Sequence, residues 1–379
     1  MTGRQRRDNR PTPDRTQEIT FTPERDPLAP GLLQEIPPPR SVVILKASRI
    51  GDYINATPAV RALRKALPQA AFTMITLPAL RDLAERSPHI DHYAEFPGYP
   101  GIAEQLFEPA RALAFFREMQ ARRFDLAVQL QGSGVYANPF LLMLGARRAA
   151  GFIRENDPPG RLDAALPWPE TGHEIRRSLA LSEFLGAPAD RLQTEFPLRQ
   201  EDHEEAERLL NRVPPPWIGV HTAARDLTRR WPLERFAAAA ALLQKRNGGT
   251  IILVGEPRDR EQSGAALAES AQPFLNLAGC TTLPQTGAVL KRLSVFITND
   301  TGPAHIAYAV NAPTVTIFGG GDPLRNGPLL PGPFRILAHE VPCRPCDTGT
   351  CPIDLLCLRQ ITVNQVVQAA EEVMRECAR

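Results

Sequence analysis

Short apolar runs rich in β-branched residues alternate with helical segments twice along this chain, and that alternation limits the fold more than any other feature. The first series opens at Ser41 to Leu45, passes a loop containing Gly51, and enters an amphipathic helix expected over 57–67 with Arg61, Arg64 and Lys65 exposed. Strand signals recur at 71–76, 92–96 and 126–130, with helical segments at 79–86, 110–123 and 138–144. A second series starts afresh at Trp217 and carries strand signals at 217–222, 250–254, 274–277, 295–298 and 313–318, separated by helices. Alternation of this kind produces parallel sheets covered by helices on both faces. The expected class is therefore α/β, with two Rossmann-like doubly wound domains facing a central cleft.

Between the two series, 151–216 is Pro-rich and weakly patterned, and Pro214, Pro215 and Pro216 mark the expected hinge. The expected domains are 41–213 and 214–379, the second ending in a helix over 363–375. Residues 1–40 hold eight Pro, seven Arg and six acidic residues with almost no apolar periodicity. Such a stretch buries too little surface to offset its ordering entropy, so a disordered tail is expected.

The charge balance narrows the partners. Forty-four basic against 42 acidic residues give a net charge of +2, which argues against a nucleic-acid polyanion. No run approaches the roughly 20 apolar residues that span a bilayer. Arg6 and Arg7 are not followed by the apolar region of an export signal, so a cytoplasmic location is expected.

Chemistry concentrates where strands of the second series end. Asn299 to Ala309 reads as a strand end, a tight turn and a helix start: Asp300 or Thr301 suits the cap, Gly302 admits a ligand to the backbone, and Pro303 suits the first helical turn. The helix start is an anion site, or an ordinary capped turn. His305 would stand one turn into the helix. The loop from His221 through Thr222, Arg229 and Arg230, and the loop Gly319 to Pro323, also follow strands and belong at the crevice of a doubly wound sheet. In the first series, Asp52 is the one acidic residue of the first βα loop, and it reads as a reactive carboxylate or as a helix cap. Neither series carries the Gly-x-Gly-x-x-Gly or Gly-x-x-x-x-Gly-Lys-Ser/Thr patterns, which disfavours dehydrogenases and NTPases.

Taken together, Ile50-Gly51-Asp52 with Thr57-Pro58-Ala59, Arg230-Trp231-Pro232, Gly255-Glu256-Pro257, Asp300 to His305, Phe318-Gly319 and Asp322-Pro323 resemble glycosyltransferase family 9, the ADP-heptose:lipopolysaccharide heptosyltransferases. The resemblance covers about Ser41 to Met374. It implies a GT-B fold and inverting transfer, without an obligatory metal, from an ADP-sugar donor to an anionic glycan or glycolipid acceptor, with peripheral contact at the inner membrane. Carried over residue by residue, it makes Asp52 the base and sets Arg229, Asp300, Thr301, Gly302 and His305 around the donor diphosphate and sugar. Thr222 and Arg230 belong to the same donor-side loop, and Glu256 or Asp259 would face the ribose. One departure is Arg229, where the family often has Lys. Acceptors in such a family include lipopolysaccharide inner core, other surface glycans and autotransporter proteins. A two-domain sugar-nucleotide epimerase and a non-catalytic sugar-nucleotide sensor are the rival classes.

Four of the six cysteines, Cys343, Cys346, Cys351 and Cys357, fall within fifteen residues. Their spacing fits a zinc or iron site, or a loop of reduced thiols packed beneath the last helix.

Overall fold

The computed structural model describes residues 25–346, 350–351 and 353–378. Among the described residues, twelve strands form two six-stranded sheets, parallel throughout. The first holds β1 (Ser41–Leu45), β2 (Ala71–Thr76), β3 (His92–Glu95), β4 (Leu126–Gln129), β5 (Arg148–Ile153) and β6 (Ala164–Pro167), in the order β3-β2-β1-β4-β5-β6. The second holds β7 (Trp217–His221), β8 (Thr250–Leu253), β9 (Phe274–Asn276), β10 (Val295–Asn299), β11 (Thr314–Phe318) and β12 (Phe334–Ala338), in the order β12-β11-β10-β7-β8-β9. Counted from its own first strand, each sheet has the order 3-2-1-4-5-6. The halves share one topology, with switch points between β1 and β4 and between β7 and β10.

Central strands covered on both faces need apolar residues on both sides. In β1, Val42 and Ile44 enter one core while Val43 and Leu45 enter another, all fully buried. The core containing Val42 continues through Leu209, Ile252, Leu290, Phe296 and Ile306, so it spans both halves.

Several expectations need correction. The first long helix runs Ile50–Ala66 and not from Thr57, because Pro58 lies inside it. Pro58 has no N–H to give Ile54 O, and the hydroxyl of Thr57 donates to that carbonyl instead (2.7 Å). Arg61, expected on the exposed face, is 2% exposed. Its guanidinium donates to Asp190 Oδ1 (3.0 Å), Glu195 Oε1 (2.6 Å), Gln193 O (3.0 Å) and Arg191 O (2.7 Å). Arg64 is half-buried over the Phe72 ring, and Lys65 pairs with Asp190.

The segment expected to be a disordered tail is ordered from residue 25 onward; residues 1–24 lie outside the described residues. Helix Leu32–Glu35 anchors the segment through fully buried Leu32, and Arg25 donates to Glu35 Oε2 (2.8 Å) and Asp163 O (2.9 Å). The helix Gln200–Leu210, assigned above to the first domain, packs on Leu283–Arg292 of the second half, with Arg292 paired to Glu207 (3.0 Å). The same helix also reaches the first half, where Arg86 Nη1 donates to Asp202 Oδ2 (2.6 Å). Strands β5, β6 and β12 were not expected.

Candidate active site

In the second half the switch point is held by Asn299, the last residue of β10, which is fully buried. Its Nδ2 donates to Thr222 O (2.8 Å) in the loop after β7, and its Oδ1 accepts from Trp231 N (3.0 Å) where that loop ends. Both ends of the 222–231 loop are thereby fixed to the turn that begins the helix Gly302–Ala309. Trp231 is itself fully buried and donates Nε1–H to Ile361 O (3.1 Å), so the Arg-Trp-Pro pattern includes an anchor.

The same loop carries Arg229, whose Nη1 donates to Asp300 Oδ2 (3.0 Å). Asp300 is 2% exposed, against 32% for the Arg229 side chain. Burial pushes the Asp300 carboxyl up to about 6, and the Arg229 guanidinium opposes that rise. His221 Nδ1 lies 3.2 Å from Thr298 Oγ1 and 3.4 Å from Thr301 Oγ1, and burial lowers the imidazole to about 4, so it is neutral at pH 7. Thr301 is the N-cap residue but makes no side-chain cap bond; Gly302 and Pro303 follow as the first helical residues. Pro303 has no N–H and Ala304 N donates to Thr301 O (3.0 Å), so among the first helical residues the Gly302 N–H is the backbone donor left at the β7/β10 switch point, beside a Thr301 hydroxyl that donates to Asn299 O (3.3 Å).

In the first half, Asp52 stands in the first turn of the helix Ile50–Ala66, after Arg49 at the N-cap. The cap alternative for Asp52 is thus excluded. It is half-buried, and among the described residues it forms no ion pair. A carboxylate in a first helical turn is favoured by the helix dipole.

The two mouths meet through a pair of glycines. A Cβ on Gly51 would lie 2.6 Å from the His305 ring, and a Cβ on Gly302 would lie 2.3 Å from Ile50 Cγ2. Each helix start admits a side chain of the other, which brings Asp52 beside the donor-side turn. Burial pushes His305 down to about 4, opposed by the Asp52 charge, so its ring is neutral at pH 7. A second bridge lies nearby. Glu174 Oε1 accepts from Arg325 Nε (2.5 Å) of the second half and from Arg177 Nη1 (2.8 Å) of the first. His173 Nδ1 accepts from Ile175 N (3.1 Å), which leaves the proton on Nε2 for Gly327 O (2.7 Å). His173, Glu174, Arg325 and Lys46 escaped sequence reasoning, because none belongs to a local motif and each has a partner distant in sequence.

The remaining expected residues divide. Thr222 is buried with its hydroxyl on Ser263 Oγ (2.7 Å), and Arg230 turns back onto Ala224 O (Nε, 3.1 Å); both brace the loop. Asp259 Oδ2 accepts from Glu256 N (2.8 Å) and closes the turn after β8, while the exposed Glu256 carboxylate pairs with Arg258 (2.8 Å). Of the thiols, Cys343 is exposed, Cys346 and Cys351 are half-buried and Cys357 is buried. Among the described residues, no three His, Cys, Asp or Glu side chains gather closely enough to hold a metal ion. Also among the described residues, no helix is long and apolar enough to cross a membrane.

Comparison with known proteins gives the same architecture. The family model described as glycosyltransferase family 9 (heptosyltransferase) matches residues 112–356. The lipopolysaccharide core heptosyltransferase OpsX of Haemophilus influenzae is 23% identical over 297 residues, covering 76% of this chain and 82% of the relative. Among solved structures, a family 9 glycosyl transferase from Veillonella parvula superposes with a TM-score of 0.75 at 22% identity, covering 89% of this chain and 98% of that one. The Escherichia coli heptosyltransferase WaaC, solved with ADP, gives 0.66 at 21% identity, covering 88% and 99%. The two sheets therefore compose a GT-B fold, the protein is a glycosyltransferase, and the chain belongs to glycosyltransferase family 9.

Proposed function

We propose that the protein transfers a heptose, or a closely related sugar, with inversion from an ADP-sugar to a hydroxyl of an anionic cell-surface glycan such as lipopolysaccharide inner core. The observation that carries this reading is the meeting of Asp52 with the Asp300–His305 turn through the Gly51 and Gly302 contacts. The donor would lie against the second half, its diphosphate received by the N–H of Gly302, the Thr301 hydroxyl and Arg229. Asp300 competes with that diphosphate for Arg229, so donor entry would exchange one anion for another. As the sugar leaves, negative charge grows on the diphosphate, and groups aimed there favour the transition state over the substrate. The ADP leaving group then needs little acid help. Asp52, half-buried and without an ion-pair partner among the described residues, would remove the acceptor proton as the hydroxyl attacks the anomeric carbon. His305 is neutral and packed against Gly51, which suits it to shape the sugar subsite. Glu256, exposed at the end of β8, is the better placed of the two acidic residues to meet the ribose, since Asp259 closes its own turn.

The donor assignment draws support from the relative solved with ADP, and the acceptor assignment from the lipopolysaccharide heptosyltransferase named above. The test is incubation of purified protein with ADP-heptose and a panel of core glycolipid and autotransporter acceptors, read by mass. A gain of one heptose on the glycolipid supports the reading, and a gain on the autotransporter moves the acceptor. Altered donor without acceptor would mean an epimerase, and ADP-heptose binding without turnover a sensor; either overturns it.

A further inference from the structure

We propose that the backbone of Gly319, Gly320 and Gly321 is the positioning element for Arg229: it fixes the turn that carries Arg229 on one side and the Asp300 carboxylate that holds the guanidinium on the other. The proposal rests on the reading of Arg229 as a group that meets the donor diphosphate.

The three glycines follow β11 directly, and all are buried. None has a positive φ, so alanine could adopt the same backbone, and glycine is needed at these positions for room alone. What occupies that room is the donor-side machinery. A Cβ on Gly319 would overlap Thr228 O, the carbonyl of the residue before Arg229. Gly320 N–H donates to the same carbonyl (2.8 Å), and a Cβ there would lie 3.3 Å from Thr228 Cβ. A Cβ on Gly321 would overlap Asp300 Oδ2, the oxygen that accepts from Arg229 Nη1 (3.0 Å). Successive residues of one short segment therefore touch both groups that aim the guanidinium, the main chain at its base and the carboxylate at its tip.

The segment is backed in turn by the C-terminal part of the chain. Cys346 N–H donates to Gly320 O (2.7 Å), and a Cβ on Gly319 would lie 2.8 Å from Cγ of fully buried Leu358. Ile361 O accepts from Trp231 Nε1 (3.1 Å), two residues past Arg229. The glycines and the end of the Arg229 loop are thus braced together. The purpose of such bracing follows from the side chain itself. Arg229 is 32% exposed, and a long side chain in that setting has many rotamers to lose. Fixing its base and its partner in advance removes that cost from the reaction, where a misplacement of about 1 Å costs on the order of 10²-fold.

Gly321→Ala tests this, because its methyl meets the Asp300 carboxylate first. The kcat and KM for the ADP-sugar, ADP affinity by calorimetry and circular dichroism are measured for this variant alone and in the Arg229→Ala background. The proposal expects kcat to fall about tenfold or more in the single variant, with ADP affinity within about threefold of wild type, since aim and not uniform binding is disturbed. In the Arg229→Ala background the same methyl should cost less than about twofold, because the group it misplaces is gone. An equal loss in both backgrounds overturns the proposal by making Gly321 a packing residue with no link to Arg229, and so does a wild-type kcat in folded Gly321→Ala. Gly320→Ala is the second variant: its methyl needs its neighbours to give by a few tenths of an ångström, so a smaller loss is expected, again absent in the Arg229→Ala background. Loss of folding in both glycine variants overturns the proposal by making the glycines a structural requirement. Arg229→Ala alone separates the two readings. Wild-type turnover there removes the donor reading and this inference with it. A slow Arg229→Ala beside a Gly321→Ala of wild-type rate leaves the donor reading standing, and this inference alone fails.

Discussion

The two halves have the same strand order and present opposite mouths. At the β7/β10 switch point the charged and polar groups are already paired: Asn299 clamps both ends of the 222–231 loop, Arg229 holds Asp300, and Thr222 holds Ser263. At the β1/β4 switch point Asp52 stands half-buried with no ion-pair partner among the described residues. A site that grips a preformed anion gains from donors fixed in advance, whereas a base must keep an open lone pair for an incoming proton. On the proposed reading, one topology would carry a rigid receiver in one half and a free acceptor of protons in the other.

Removing the free carboxylate is the most damaging change. Asp52→Asn keeps size and much of the helix-start chemistry, and its transfer rate should fall about 10²–10⁴-fold with circular dichroism unchanged. A variant within a few-fold of wild type would move the base elsewhere, with His305 the next residue to examine. On the receiving side, Arg229→Ala should lower kcat by about 10²-fold and ADP affinity by less, because the guanidinium acts most as charge develops. Unchanged turnover at saturating donor would reduce Arg229 to a counter-ion for Asp300.

The seam between the halves gives a smaller effect. Gly51→Ala forces a methyl into the His305 ring and Gly302→Ala one into Ile50, and each should lower stability by about 1–3 kcal/mol in denaturant titrations, the usual cost of overpacking. Wild-type stability in both would mean that the helix starts do not meet as described. The smallest effect concerns pH. The Asp300 carboxyl is raised by burial from 3.8 to about 6, so its contribution to stability is fully present below about pH 4 and is lost as pH rises through 6. Asp300→Asn has no such group, and its Tm should fall less than wild type between pH 4 and pH 7. Parallel Tm curves would show that Asp300 ionises without cost.

What was legible in the sequence follows from which interactions are local. The β1 run, buried in both directions, was readable in full, as was the strand, turn and helix around Asn299. The helix start at Ile50 was hidden because Pro58 looks like a first-turn proline, and nothing in the sequence announces that the Thr57 hydroxyl replaces its missing bond. Strands β5 and β6 are rich in Ala, and their pattern matches no period. Arg61 reads as a solvated helix residue because its four acceptors lie at 190–195, more than 120 positions away. Lys46 and Glu174 were missed for the same reason. Their meaning lies in what the crossovers bring beside them, and an unlabelled Lys or Glu carries no sign of that.

The division of labour between the halves is tested most directly by equilibrium ADP binding to Asp52→Asn, measured by calorimetry on the same preparation whose transfer rate is followed. If the nucleotide is held by the second half alone, ADP affinity stays within about twofold of wild type while transfer is lost, since the substitution removes an interaction made only in the transition state. Loss of ADP affinity in step with loss of transfer would contradict the account and place Asp52 on the donor side of the cleft.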